Sequence, residues 1–334
     1  MMRWGLIGAS SIAETHMIGA LRAEEQEIAA VASTSAARAT AFAAAQGIAT
    51  ATDDVAQLLA DPAIRAVYIS STNEKHHAQA LAAIAAGKHV LCEKPLAMTV
   101  AEARAMVDAA RAAGRVFATN HHLRCSGSHR AIRRLVAEGR IGRVLSVRVF
   151  HAVHLPPHLQ GWRIHDAGAG GGVIPDITVH DADVVRFLLG ENPVSVVAQM
   201  CASGLGEGVE DSAMSVWTMP SGAMVMAHES FTHRFAGSGL EVHGSDGSIL
   251  ARGVMTQRPV GEVDLVTAAG REAIAYPADD LYRVAVREFA GAVAGHGRPA
   301  ADGADGVASL AVALAVREAA RTGTRQTLTW EDAA

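Results

Sequence analysis

This sequence predicts a two-domain α/β protein: a doubly wound parallel sheet over residues 1–120, then an α/β domain built on a mostly antiparallel open sheet over 121–334. Three features carry that prediction. Short apolar runs alternate with Ala-rich helical stretches as far as Asn120, the rhythm of successive βαβ units. A glycine turn, Gly8-Ala9-Ser10, follows the first run at once and opens a helix. Beyond residue 120 the rhythm gives way to short alternating segments divided by Gly, Ser and Asp, as in an antiparallel sheet.

Taken in order, strands are expected at Arg3–Ile7, Ile28–Ala32, Ala66–Ser70, His89–Cys92 and Val116–Thr119. Ala-rich helical stretches at 12–23, 36–46, 75–86 and 99–113 lie between them, with a shorter helix at Asp53–Leu59. In the second domain Ser128–Glu138 reads as a helix and Val144–His154 as a strand. Asp181–Leu189 is again helical, 195–275 holds the antiparallel segments, and helices at Leu281–Ala294 and Val307–Arg321 close the chain. Gly87 suits the left-handed residue that ends a helix.

The totals narrow the function. Half of the 334 residues are hydrophobic, enough for substantial cores. A net charge of −5 without a run of like charge argues against nucleic acid or an anionic membrane as partner. No apolar run approaches the roughly 18 residues of a spanning helix. Cys92, Cys125 and Cys201 form no CxxC motif or disulfide framework, and the N-terminus runs straight into a strand without a signal peptide, so a cytoplasmic protein is expected.

Gly8, Ala9, Ser10, Ser11, Ile12 and Ala13 form a G-x-G-x-x-G/A pattern with Ser10 in the middle position. Such a turn lets backbone approach a pyrophosphate, whose charge then meets the helix N-terminus. NAD sites usually place a carboxylate at the end of the second strand. Here that position reads Ser33-Thr34, with Arg38 one helical turn on, which suits the 2′-phosphate of NADP(H). Arg38 as plain helix surface is the alternative. Ser71, Thr72, Asn73 and His76 end the next strand pattern and are expected along the nicotinamide side, together with Glu93 and Asn120.

Glu93-Lys94-Pro95 follows the His89–Cys92 strand, at the sheet edge where ligands bind in such folds. Of 29 Lys and Arg residues only Lys75, Lys88 and Lys94 are lysines. A charge that merely solvates the surface is written Arg in this chain. Lys, unlike Arg, releases its proton when its surroundings demand it, which makes Lys94 a candidate acid/base. Asp176 and His180 are four residues apart and share a helix face if Pro175 opens the helix. A carboxylate beside an imidazole fixes its tautomer and makes a useful general acid. The Gly168–Gly172 loop before them would let backbone approach a ligand. The many histidines invite a metal, but no ligand spacing such as HExxH occurs, and no metal is expected.

The Gly8–Ala13 loop, Ala86–Pro95 ending in Glu-Lys-Pro, and Gly171-Gly172-Val173-Ile174-Pro175-Asp176-Ile177-Thr178-Val179-His180 together resemble the glucose-fructose oxidoreductase / inositol dehydrogenase (Gfo/Idh/MocA) family. The likeness spans essentially the whole chain. Within the family, Asn120–Arg124 and Phe150–Arg163 are similar to a subgroup that reduces the 2-keto group of an anhydro-sugar with NADPH. The resemblance implies a Rossmann domain carrying NADP(H), with the Lys94-Pro95 loop facing the Asp176/His180 helix across the nicotinamide. It casts Lys94 as the group holding or protonating the substrate oxygen, and His180 as acid/base. Asp176 would contact sugar hydroxyls and orient the histidine, while Trp162 and Arg163 would reach toward the cofactor. Ser10 and Ala13 stand where many members have glycines. The expected reaction is NADPH-dependent reduction of a small ketosugar, with Lys94 or His180 as proton donor. A carboxylate after the second strand would have favoured the alternative, oxidation of another sugar or cyclitol with NAD. A non-catalytic NADP-binding sensor would have no need of Lys94 or His180. A homo-oligomer paired through the open sheet is possible on this fold.

Overall fold

The computed structural model describes residues 1–330. They form two compact units, Met1–His122 with Asp280–Val307, and Leu123–Asp279 with Ala308 onward.

The first unit is built on six parallel strands: β1 (Arg3–Ile7), β2 (Glu27–Ala32), β3 (Thr50–Thr52), β4 (Ala66–Ile69), β5 (His89–Cys92) and β6 (Phe117–Thr119). Their order is β3-β2-β1-β4-β5-β6, the doubly wound arrangement, with reversal between β1 and β4. β4 and β5 are buried along their whole length, as strands with helices on both faces must be, and this is why they read as unbroken apolar runs. β3 was not expected: it has three residues, two of them threonines, and no apolar run.

The connecting helices begin where their sequences supply acceptors. A π-turn, Ala13–Met17, runs into α1 (Ile18–Ala23). Ser35 caps α2 (Ala36–Gln46), Asp54 caps α3 (Val55–Leu59), and Thr99 with Glu102 forms a capping box on α5 (Val100–Ala112). Gly87, at φ +74°, ends α4 (Asn73–Ala85) in the expected left-handed conformation.

The helix Leu281–Val293, read from sequence as part of the second domain, belongs to this unit, and aromatic packing explains why. Phe289 lies on Trp4 with ring centres 5.1 Å apart, and Tyr282 stacks on His16 at 4.7 Å and on His122 at 5.3 Å. Arg283 and Arg287 both pair with Glu24.

The second unit holds α6 (Gly127–Ala137) and a nine-stranded sheet: β7 (Val144–Ala152), β8 (Ser195–Cys201), β9 (Ser212–Thr218), β10 (Met224–Ser230), β11 (Ser238–Gly244), β12 (Gly247–Arg252), β13 (Glu262–Thr267), β14 (Gly270–Ala273) and β15 (Gln326–Thr327). Every pairing is antiparallel except β7 with β10. From Ala213 onward burial alternates along β9, so one face of the sheet is covered and the other is open. α7 (Pro157–His165) was not foreseen. A second π-turn, Ile174–Thr178, leads into α8 (Val179–Leu189), which packs on β7 of the covered face.

Candidate functional site

In the first unit the expected cofactor residues gather at the carboxyl edge of the parallel sheet. Gly8 sits at φ +118°, and a Cβ there would lie 2.8 Å from the backbone of Ser70 and Ser71, so only glycine lets the loop pass this close to the end of β4. The first intrahelical bond runs from Glu14 N–H to Ser10 C=O, 3.1 Å, so the amides of Ser11 and Ile12 ahead of it have no helix carbonyl to bond. The Ser10 hydroxyl accepts from Ala13 N–H at 3.2 Å and donates to Ser70 Oγ at 2.7 Å. Its task is to tie the loop to β4. A helix start with amides ahead of its first intrahelical bond fits a pyrophosphate.

Arg38 reaches back from α2 and donates to the Ala9 carbonyl at 2.8 Å, which brings a guanidinium to the flank of the glycine loop. Ser33 uses its own N–H to extend the sheet toward Thr52, and Thr34 is exposed beside it. One carboxylate comes to this corner from elsewhere in the sequence: Asp53, just past β3, accepts from Ala36 N–H at the start of α2, 3.2 Å.

The residues after β4 divide their work. Ser71 bonds Gln79 within α4, Thr72 bonds Glu74, and Asn73 is buried as the first residue of α4. His76 is wholly buried, with Nδ1 2.9 Å from the Pro95 carbonyl and Nε2 3.1 Å from the Ser71 carbonyl. Its burial holds its pKa below the usual histidine range. His76 therefore braces the loop carrying Lys94 against the end of β4.

Glu93 is braced the same way. Tyr68 and Asn120 both donate to its Oε1, each at 2.5 Å, deep in the unit, and burial pushes its pKa up. Lys94, half-buried, stands between this anchored carboxyl and Pro95, across a cis peptide bond. Lys88 by contrast spends its ammonium on the carbonyls of Asp61 and Ile64, at 2.7 and 2.8 Å, and is structural.

In the second unit Pro175 is the second residue of the π-turn, one place later than expected, where its missing N–H still costs nothing. Asp176 and His180 are both buried. Asp176 Oδ2 pairs with Arg163 Nε at 3.5 Å, and the Arg163 guanidinium lies over the Trp162 ring at 4.7 Å. The glycine loop before them packs against the protein's own groups. A Cβ on Gly171 would lie 2.6 Å from the Trp162 carbonyl, and one on Gly172 2.4 Å from Glu210. Arg124 and Asp183 form a buried bidentate pair, 2.8 and 2.7 Å, that ties α8 to the segment before α6.

Behind His180 lies a group that sequence spacing did not reveal. His151 on β7 has its ring centre 6.4 Å from that of His180, and its Nδ1 is 2.8 Å from Asp181 Oδ1. Glu229 on β10 is the direct cross-strand partner of His151. The only signal for it is the register of the parallel β7–β10 pair, which no local pattern encodes. Among the described residues no three His, Cys, Asp or Glu side chains converge as a metal ion requires.

The comparisons with known proteins define the class. Residues 2–121 match the oxidoreductase family with an NAD-binding Rossmann fold, and 129–250 match the GFO/IDH/MocA C-terminal domain. The chain belongs to the GFO/IDH/MocA oxidoreductase family. It is 55% identical over 324 residues, 97% of each chain, to 1,5-anhydro-D-fructose reductase of Ensifer adhaerens. It is 32% identical to an NADP(+)-dependent D-xylose 1-dehydrogenase of Haloferax volcanii, covering 96% of this chain and 98% of that one. Its fold matches a levoglucosan dehydrogenase solved with NADH and L-sorbose at a TM-score of 0.88 and 24% identity, over 98% of this chain and 99% of that one.

Proposed function

We propose that this chain reduces the ketone of an anhydro-ketosugar with NADPH, the reaction being 1,5-anhydro-D-fructose to 1,5-anhydro-D-mannitol. The observation that carries the reading is the 55% identity, over nearly the full length of both chains, to a reductase named for that substrate. Lys94, Asp176 and His180 supply chemistry suited to it. Bound NADPH provides the hydride for the carbonyl carbon. The chain's own residues handle the charge that develops on the carbonyl oxygen: Lys94 and His180 stabilise the alkoxide and one of them protonates it. Asp176, paired with Arg163, offers a carboxylate for sugar hydroxyls.

Cofactor preference is a balance of two charges near the start of α2. Arg38 favours the 2′-phosphate and Asp53 opposes it; the Arg38 guanidinium, held on the glycine loop itself, supports NADPH. A cytoplasmic setting belongs to the same reading. Pairing of two copies through the open sheet is supported by Val197, Val216 and Met226, which line up across three strands and are each about two-fifths exposed. The test of the function is NADPH consumption against a panel of ketoses and anhydro-ketoses. Turnover of 1,5-anhydro-D-fructose at least tenfold more efficient than of any other ketose is expected, and preference for an ordinary ketohexose would sink the assignment.

A further inference from the structure

We propose that His151 is a proton-relay residue that acts through His180, anchored from behind by the buried carboxyl pair Asp181 and Glu229. The inference rests on the function proposed above and extends it to residues that sequence did not assign to the reaction.

The geometry comes from three elements of the second unit. β7 and β10 run parallel, and their register sets Glu229 directly beside His151 on the covered face of the sheet. α8 lies over that face and lowers Asp181 onto both, with His151 Nδ1 2.8 Å from Asp181 Oδ1. Asp181 and Glu229 are wholly inaccessible, and each carboxyl lies within the other's electrostatic reach. Two neighbouring carboxyls buried from water cannot both ionise, so they hold at least one proton between them. Burial raises both carboxyls, but the neighbouring Asp181 pushes Glu229 further up while His151 pulls Asp181 back down, so the proton is held on Glu229. Asp181 is then a carboxylate able only to accept, and His151 must carry hydrogen on Nδ1.

That fixes what the other nitrogen can do. About a tenth of the His151 side chain stays accessible while Asp181 has none, so the ring is the open end of an otherwise sealed cluster. The titratable groups facing it are His180 and Asp181 from α8, Glu229 from β10 and His129 from α6. Of these His180 is the one with an expected role in the reaction, and a ring separation of 6.4 Å is one that a single bridging water spans. When His180 has given its proton to the alkoxide, solvent protonates His151 at Nε2, and that proton then leaves Nε2 through the bridging water as a new N–H bond forms on His180. His151 is left as it began, a neutral ring with hydrogen on Nδ1 alone. The Nδ1–H bond to Asp181 is kept throughout, and the carboxylate stabilises the ring while it briefly carries both protons.

The test is His151→Ala in the full chain, assayed with and without added imidazole, beside Asp181→Asn. The relay requires His151→Ala to lose at least tenfold in kcat, with NADPH affinity unchanged and part of the loss restored by imidazole. A merely structural histidine gives no such rescue, so a folded, NADPH-binding variant that imidazole leaves inactive overturns the proposal, as does one with wild-type kcat. Histidine ¹⁵N NMR of the resting protein tests the anchor without turnover. Hydrogen on Nδ1 of His151 in wild type, shifting toward Nε2 in Asp181→Asn, is expected; hydrogen on Nε2 in wild type overturns it. A wild type that reduces no ketosugar refutes the functional reading instead, a result separate from either of these.

Discussion

Lys94 and His180 carry the sharpest residue-level expectation. If both meet one carbonyl oxygen, each stabilises charge that exists mainly in the transition state, so loss of either lowers kcat more than it raises KM. Lys94→Ala and His180→Asn should each cost about 100- to 1000-fold in kcat, with NADPH binding by fluorescence nearly unchanged. Retention of a tenth or more of wild-type kcat would move the proton donor elsewhere. Arg38 and Asp53 answer a different question. Hydrogen bonds to charged groups are worth about 1.5–3 kcal/mol, so Arg38→Ala should raise KM for NADPH roughly 10- to 100-fold and leave that for NADH little changed. Asp53→Asn should lower KM for NADPH, and equal effects on both cofactors would refute the placement of either residue. His129 supplies a pH expectation. It is wholly buried, and burial holds its pKa down at about 3, against about 6.5 when unfolded. Below about pH 6.5 the unfolded chain binds a proton that the folded chain refuses, so stability falls as pH drops from there toward 3. In His129→Gln that component is absent, and the gap between variant and wild-type melting curves should narrow as pH is lowered through this range.

At the scale of elements, the glycines separate two kinds of need. Gly8 combines positive φ with a backbone neighbour where its Cβ would stand, whereas Gly87, also at positive φ, faces open space. Gly87→Ala should therefore cost only the left-handed penalty of about 1–2 kcal/mol. Gly8→Ala must in addition push the loop off β4 and should weaken NADPH binding at least tenfold, which fluorescence titration alongside thermal melts would read. Both π-turns among the described residues, Ala13–Met17 and Ile174–Thr178, fall where the sequence placed function, and single π-turns in longer helices often mark such sites. The strands β1 and β5 were legible to the residue because buried parallel strands are continuous apolar runs between turn residues. Thr50–Thr52 was not, because so short a strand at a sheet edge carries no hydrophobic period.

For the molecule as a whole, the order of the elements was legible and their tertiary company was not. The amphipathic helix Leu281–Val293 announces itself by period, but nothing local says that Phe289 will meet Trp4. The same reason hid Tyr68 and Asn120 behind Glu93, and Glu229 behind His151: each contact joins segments far apart in sequence, through strand register or sheet order. The motifs that were read, Gly8–Ala13, Glu93–Pro95 and Asp176–His180, are all local.

The scarcity of lysine has a practical corollary. Lys88 is buried with its ammonium bonded to two carbonyls, and Lys75 lies on the surface beside Glu74. Reagents that modify amines thus meet only the α-amino group, Lys75 and Lys94 in any accessible state. Reductive methylation with ¹³C-formaldehyde should give a spectrum of three prominent signals, and saturating NADPH should protect one of them. The protein arrives with an almost private chemical label on the loop expected to do its chemistry, a reporter that substitution would have to engineer into a chain richer in lysine.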